Sequence, residues 1–397
     1  MWAGRHVVVG VSGGIAAYKS CHLVRRLTEA GARVDVVLTP AAAEFVRPLT
    51  FEALSGRPVL GSLWEPGRAL AHVQLASAAD LVIVAPATAH LLARVAHGLA
   101  DDLLTSLLLA RTGPVLFAPA MNDAMYSAAP TRQNLALLRE RGYAFVGPDT
   151  GALAEGPSDR PGRMSEPETI LHHARRLLGR GGLLEGKHVV VTAGPTREPL
   201  DPVRLVTNRS SGKMGFRLAQ AAWYRGAEVR LITGPSAETP PVGVGLTRIE
   251  TTEEMRDAVS AALPETDVLI MAAAPADYRP ADPAEAKRPR QAGALLVELC
   301  PTPDILATTR ERRKPGSVIV GFALETGDAE AKARDKLARK GLDLIVVNDA
   351  LEPGAGFEVD TNHVTVLDPF GGRWTLLLAD KAEVAEGILD RVEARLG

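Results

Sequence analysis

Short, unbroken apolar runs alternate along the chain with longer segments whose apolar residues recur every three or four positions. The run RHVVVGVSGG (5–14) closes on a glycine-rich turn, the amphipathic stretch IAAYKSCHLVRRLTEAG follows, and ARVDVVLTP restarts an apolar run. The same order returns as KHVVVTAGPT (187–196), KMGFRLAQAAWYRG and AEVRLITGP. Two further runs, ADLVIVAPATA (79–89) and TDVLIMAAAPA (266–276), each end in small residues and proline. Such runs read as strands buried on both faces, and the stretches between them carry the helical period. The expected fold class is α/β, with two doubly wound domains built on parallel sheets. In sheets of this kind ligands sit beyond the carboxyl ends of the strands.

Composition narrows the picture. A chain of 397 residues suits two domains, and the glycine-rich segment LLGRGGLLEGK (177–187) is the natural joint, giving expected domains at 1–180 and 186–397. A formal net charge of −2 offers no electrostatic reason for nucleic acid or an acidic membrane as partner. Two cysteines, Cys21 and Cys300, rule out a disulfide framework and a cysteine-rich metal site. The N-terminus enters a strand without a basic leader, and the apolar runs have about half the length a bilayer requires. The expected setting is cytoplasmic, without membrane contact.

In the first half several loops converge on one sheet edge. GVSGG (10–14) lets backbone N–H groups at Ser12, Gly13 and Gly14 approach a phosphate, although such a turn also serves merely to reverse a chain. LTP (38–40) brings Thr39, and APATAH (85–90) brings Pro86, Ala87 and Thr88. APAMNDAMY (118–126) sets Asn122 between Met121 and Met125, whose helical spacing is ordinarily that of a core. His72 stands in AHVQLASAAD, where a helix precedes a strand; a lone helical histidine is more often structural or solvated.

In order and spacing, VSGGIAAYKS, HVQLASAADLVIVAPATA, VAHGLADDLL, PAMNDAMY and GRMSEP resemble the flavin-dependent cysteine decarboxylases. The resemblance implies a flavodoxin-like fold and FMN held between the subunits of a trimer. It implies that Ser12, Gly13, Gly14, Thr39, Pro86, Ala87, Thr88 and Ser106 surround the flavin and its phosphate. His72 matches the family's active-site base, and Asn122 the residue that holds the substrate carboxylate. A cysteine amide has no electron sink for decarboxylation; oxidising its thiol to a thioaldehyde creates one, and a flavin can take and return the two electrons.

Two departures stand out. His90 replaces the asparagine usual in that motif, and LAEGPSDRPGRM (153–164) carries Glu155 where the family's flap has the cysteine that donates the last proton. Three readings stay open: Glu155 is the acid, water or another group donates, or this half does not turn over. A carboxyl group enclosed by an apolar flap stays protonated more readily than one on a solvated loop.

The second half centres on TAGPTREPLDPVRLVTNRSSGKMG (192–215), whose prolines predict an irregular but ordered segment across the sheet edge. Its end has the glycines, hydroxyls and lysine of a phosphate loop but fails the Walker pattern, since Thr207 and Met214 stand where a glycine and a hydroxyl are required. This segment resembles the signature of the CTP-using phosphopantothenate–cysteine ligases. AAAPADYRP (272–280), PTPDIL (301–306), GFALETG (321–327), KLARKGLDLIVVND (336–349) and GFEVDTNHVTVL (356–367) agree with it. The resemblance implies that nucleotidyl transfer converts a carboxylate to an acyl-CMP, which the amine of cysteine then attacks, with Mg²⁺ on the triphosphate. Lys287, Lys336 and Lys340 match nucleotide-contacting lysines, Lys287 also serving catalysis. Asp277 would accept from ribose or base, and Phe322 would pack on the cytosine. Met271, Ala272 and Ala273, with Pro303, Asp304, Ile305 and Leu306, would line the base pocket. Asn208 would hold the acyl-CMP beside Ser210, Ser211 and Gly212. No metal ligand is assigned. The run KRPR (287–290) departs from the usual KIKK-like one, and Pro289 alters the backbone there.

Together the two resemblances cover nearly the whole chain and imply the fused enzymes of coenzyme A biosynthesis, acting on 4'-phosphopantothenate and cysteine. They imply a homo-oligomer of trimeric flavin domains and dimeric ligase domains, a dodecamer being one assembly that satisfies both. Two alternatives remain: an active ligase with a non-catalytic flavin-binding domain, and a nicotinamide-dependent reductase. The second is disfavoured because GVSGG lacks a complete G-x-G-x-x-G.

Overall fold

The computed structural model describes residues 2–290, 294–325, 328–349 and 359–397. Residues 326–327 and 356–358 of the expected ligase motifs lie outside the described residues. The chain divides into two units, Met1–Leu178 and Gly179–Gly397.

The first unit holds five parallel strands in the order Arg33–Leu38, His6–Val11, Leu81–Ala87, Val115–Pro119, Ala144–Phe145. Numbered along the chain this is 2-1-3-4-5, the flavodoxin-like order, which reverses between the first and third strands. The apolar runs are buried on both faces, as the pattern predicts. Val7, Val9 and Val11 feed one core while Val8 feeds the other, because successive side chains of a strand point to opposite sides. Each valine so buried contributes about 1.5–3 kcal/mol.

Among its described residues the second unit has eight strands in one sheet. Six are parallel, in the order Gly245–Arg248, Glu228–Thr233, His188–Ala193, Val268–Met271, Val318–Glu325, Leu344–Asp349. Counting only these six, the order is 3-2-1-4-5-6, the Rossmann arrangement, with its reversal between His188–Ala193 and Val268–Met271. Thr361–Leu367 and Arg373–Asp380 add antiparallel strands at one edge. The doubly wound α/β class expected from the sequence is therefore the fold of both units.

The helix Lys213–Tyr224 shows how closely one element determines a site. It starts after Gly212, whose φ of 81° is costly for residues with a Cβ. A Cβ on Gly215 would lie 2.5 Å from that of Ala193, so this glycine lets the helix approach the strand before the glycine-rich turn. The segment 192–215 is more regular than its prolines suggest. Arg197–Pro199 and Leu205–Thr207 pair as a short antiparallel ribbon, with Pro199 at its end, where a missing N–H is tolerated. Among the described residues no helix is long and apolar enough to cross a membrane.

Candidate active sites

In the first unit a cavity of about 920 Å³ opens at the reversal of strand order. Ser12, just past the first strand, donates from Oγ to the carbonyl of Pro86 at 2.8 Å and accepts from the Thr88 N–H at 3.1 Å. These bonds tie the ends of the two strands together. Thr39 and Thr88 are N-caps, accepting from Ala42 N at 3.2 Å and Leu91 N at 3.4 Å. Gly13 is held against the Thr39 turn so closely that a Cβ there would fall 2.4 Å from that of Ala41. The wall is thus made of hydroxyls and N–H groups, the chemistry that receives a phosphate.

Asn122 is the N-cap of the helix Asp123–Ser127. Its Oδ1 accepts from Ala124 N at 2.9 Å, and its Nδ2 donates to Glu155 Oε1 at 3.3 Å. The sequence-predicted pair is therefore brought together on the cavity wall. Glu155 is exposed rather than enclosed by its flap in the single chain.

Sequence reasoning missed Lys19, which is buried and lines the same cavity, donating from Nζ to the Met164 carbonyl at 3.1 Å and to Glu166 Oε1 at 2.9 Å. It also missed Arg94, bonded to Asp101 and to Asp102 Oδ2, the latter at 2.7 Å. The motif VAHGLADDLL contains both aspartates but gives no sign that Arg94 folds back onto them.

Several expected residues lie elsewhere. His72, on the helix Ala71–Ala78, does not line this cavity, and its buried Nδ1 has no hydrogen-bond partner among the described residues. Ser106 turns away, donating to the Ala100 carbonyl at 3.1 Å. Pro86 and Ala87 belong to the buried strand Leu81–Ala87 and do not line the cavity, although the Pro86 carbonyl anchors Ser12. Met125, by contrast, lines the cavity and is 51% exposed rather than core, because its helix is too short to carry a core stripe.

The second cavity, about 540 Å³, opens at the reversal point of the other sheet. Asn208 donates from Nδ2 to the carbonyls of Ala274 at 3.3 Å and Pro275 at 2.9 Å, joining the long loop to the turn after Val268–Met271. Thr192 and Thr196 fix that turn by accepting from Ala273 N at 3.2 Å and Ala276 N at 2.9 Å. Thr302 Oγ1 donates to the Ala276 carbonyl at 2.6 Å, so Asp277 and Pro303 face one space.

Met271, Ala272, Ala273, Asp277, Pro303, Asp304, Ile305, Leu306, Phe322, Lys336 and Lys340 all line this cavity, as does Asn208 with Ser210, Ser211 and Gly212. Lys336 Nζ donates to the Phe322 carbonyl at 2.8 Å. Burial pulls its ammonium below the ordinary lysine range, and neighbouring Lys340 adds to this against the pull of Glu325, Asp304 and Asp277. Lys340 pairs with Asp304 at 3.0 Å. Burial opposes ionisation of Asp304, but the bonds from Lys340 and Ala307 N prevail and hold its carboxyl below the usual range.

Lys287 is exposed and outside the lining; its neighbour Arg288 donates N–H to Asp201 Oδ2 at 3.2 Å. Pro289 lies just beyond this anchor. Asn348, Asn362 and Lys381 line the cavity without having been singled out, since three elements distant in sequence supply them, and Lys213, the lysine of the loop that fails the Walker pattern, lines it too. Neither cysteine lines either cavity.

Comparison with known proteins places these sites in context. A family model described as "Flavoprotein" matches residues 1–179, and one described as "DNA/pantothenate metabolism flavoprotein C-terminal domain" matches residues 184–396. The chain is 45% identical over 398 residues to the coenzyme A biosynthesis bifunctional protein CoaBC of Vibrio cholerae, covering 99% of each. It is 47% identical over 403 residues to that of Mycobacterium bovis, covering 98% of this chain and 96% of the relative. A crystal structure of the C-terminal domain of a protein of that name aligns at 40% identity and a TM-score of 0.47, over 54% of this chain and 98% of the other. The chain belongs to the family of bifunctional coenzyme A biosynthesis enzymes, in which a flavoprotein domain precedes a ligase domain.

Proposed function

We propose that the chain joins cysteine to 4'-phosphopantothenate with CTP and decarboxylates the product to 4'-phosphopantetheine with FMN. The observation that carries this reading is that each sheet opens, at its strand-order reversal, into a cavity walled by one of the two motif sets.

In the ligase half, Lys336 and Lys340 offset nucleotide charge while Phe322 and the Pro303–Leu306 turn receive the base. A carboxylate oxygen of the acid attacks the α-phosphorus, pyrophosphate leaves with the bonding electrons, and Asn208 holds the acyl-CMP for attack by the amine of cysteine. Among the described residues no three His, Cys, Asp or Glu side chains cluster as they would around a protein-held metal. Mg²⁺ would enter on the triphosphate's own oxygens.

The flavin cavity fits FMN on its own features: hydroxyls of Ser12, Thr39 and Thr88 at one wall, and close approach of backbone at Gly13. When bound, FMN supplies reversible two-electron oxidation of the substrate thiol. Asn122 orients the substrate carboxylate, and Glu155 beside it supplies the final proton. His72 lies outside its own chain's cavity, so as general base it completes the site only when a second copy supplies it. That agrees with the trimeric flavin domains in this reading, joined through paired ligase domains.

The replacement of cysteine by Glu155 favours one second reading, an active ligase whose flavin half does not turn over. One assay separates the outcomes: CTP, Mg²⁺, cysteine and 4'-phosphopantothenate, with pyrophosphate and CO2 followed separately. Both products support bifunctionality, pyrophosphate alone supports the second reading, and neither rejects the assignment.

A further inference from the structure

The ligase cavity carries two separate cationic groups. Lys336 and Lys340 form the first; the second is Lys213 with Lys381. The charges bearing most on Lys336 are Lys340, Glu325, Asp304 and Asp277, whereas those on Lys381 are Lys213, Asp360, Glu238 and Asp380. Their contacts differ as well: Lys336 reaches the Phe322 carbonyl and Lys340 Asp304, whereas Lys213 reaches Asp360 and Lys381 the Val359 carbonyl, so one cavity presents positive charge on two separate sets of partners.

The second group is built from three elements. Lys213 opens the helix Lys213–Tyr224, and its Nζ pairs with Asp360 Oδ1 at 2.6 Å. Lys381 opens the helix Lys381–Leu396, and its N–H donates to the Asp360 carbonyl at 2.9 Å. Lys381 is only 3% exposed and lines the cavity, and its Nζ donates to the carbonyl of Val359 among its contacts. Two ammonium groups and two helix N-termini thus line the cavity together with the uncharged Asn348 and Asn362, while its remaining charged lining is Arg209, Asp277 and Asp304 with the first lysine pair. Burying an ammonium is costly, and a second one beside it raises that cost. Burial and then Lys213 both pull the Lys381 ammonium below its ordinary range. A bound polyanion would reverse both effects.

We propose that Lys213 and Lys381 form a phosphate subsite for the terminal phosphates of the nucleoside triphosphate. This deepens the CTP-dependent reading above and rests on it. Attack of the acid's carboxylate oxygen on the α-phosphorus breaks the bond to the bridging oxygen, and the electron pair leaves with pyrophosphate. Lys213 and Lys381 stabilise the charge that develops there, while Lys336 and Lys340 attend to the nucleoside end. Asp360 holds Lys213 at the cavity until phosphate competes for it.

The other phosphate available to this cavity is that of the phosphorylated acid, and the test distinguishes the two. The full-length chain and its Lys213→Met and Lys381→Met variants are titrated calorimetrically with CTP and with CMP, Mg²⁺ present and acid absent. The KM for 4'-phosphopantothenate is measured alongside. Each variant is expected to lose about tenfold or more in CTP affinity, with CMP affinity changed less than about twofold and the KM for the acid unchanged. Lys381→Arg should recover most of the CTP affinity. Parallel loss of CTP and CMP would overturn the proposal, as would intact CTP binding with a raised KM for the acid. Should Lys381→Met fail to fold, the half-buried Lys213 supplies the decisive variant. A wild-type chain that binds no CTP removes the underlying reading instead, whereas CTP binding indifferent to both substitutions removes this inference alone.

Discussion

Asn122 Nδ2 and Glu155 Oε1 lie 3.3 Å apart across the flavin cavity, although 33 residues separate them in the chain. The amide is fixed by its capping bond to Ala124 N, so the glutamate is the adjustable partner. If Glu155 delivers the last proton, Glu155→Gln keeps the hydrogen-bonding shape but lowers CO2 release by about 10²-fold or more, leaving CTP-dependent pyrophosphate release unchanged. Undiminished decarboxylation by that variant would assign the proton to another donor.

Lys336 links pH to nucleotide affinity. Its ammonium is held below the ordinary lysine range chiefly by burial, so it loses its proton earlier than a free lysine as pH rises. CTP affinity should fall with rising pH below the range where exposed lysines titrate, near 10.4 in model peptides. Lys336→Arg should abolish that dependence. Titration calorimetry across the alkaline range checks both.

Asn208→Asp would replace a donor with a carboxylate facing the carbonyls of Ala274 and Pro275. The loop would then be repelled from the turn it now grips. The expected result is a loss of ligase rate of at least about tenfold, from roughly 1–3 kcal/mol of lost and unsatisfied hydrogen bonding, with flavin absorbance and decarboxylation of supplied intermediate retained.

Gly13→Ala tests the flavin wall. The added methyl would sit 2.4 Å from the Cβ of Ala41 and 2.8 Å from its carbonyl carbon, which forces the Thr39 turn outward. A destabilisation of about 1–3 kcal/mol and loss of the visible flavin absorbance after purification with FMN are expected. Full flavin occupancy would show that this turn does not contact the cofactor.

Acid stability of the first unit should depend on Asp35. Burial raises its pKa, but hydrogen bonds from His6 and then Arg57 outweigh that and bring it from 3.8 to about 2. A carboxyl lower in the folded state stabilises the fold fully above its unfolded value and loses that stabilisation as pH falls toward 2. The contribution at neutral pH is about 2 kcal/mol. Asp35→Asn should lower thermal stability near pH 7 and flatten its decline between pH 5 and 2, as read by circular dichroism.

The α/β architecture was legible because it follows from local periodicity. Val7 to Val11 and Val268 to Met271 are apolar whichever neighbour they meet, so their burial on both faces could be read directly. Much of the ligase lining was anticipated too, because the family resemblance pointed to Met271–Ala273, Asp277 and Pro303–Leu306, which the structure places at or just beyond strand ends. Lys213, Lys381 and Lys19 were not. A lysine on a helix has the same local pattern whether it meets water or a cavity, and only distant partners such as Asp360 and Glu166 distinguish the cases.

By itself the sequence determined two doubly wound halves, the turns that follow their strands, and the residue types available at each turn; these depend on spacing along the chain. Tertiary structure alone decided which side chains share a space. It set Asn122 against Glu155, left His72 and Lys287 outside the cavities expected for them, and gathered Lys213 with Lys381. Strand order is the physical reason: a parallel sheet whose strand order reverses opens a cavity between segments far apart in sequence, and no local pattern records which ones meet there.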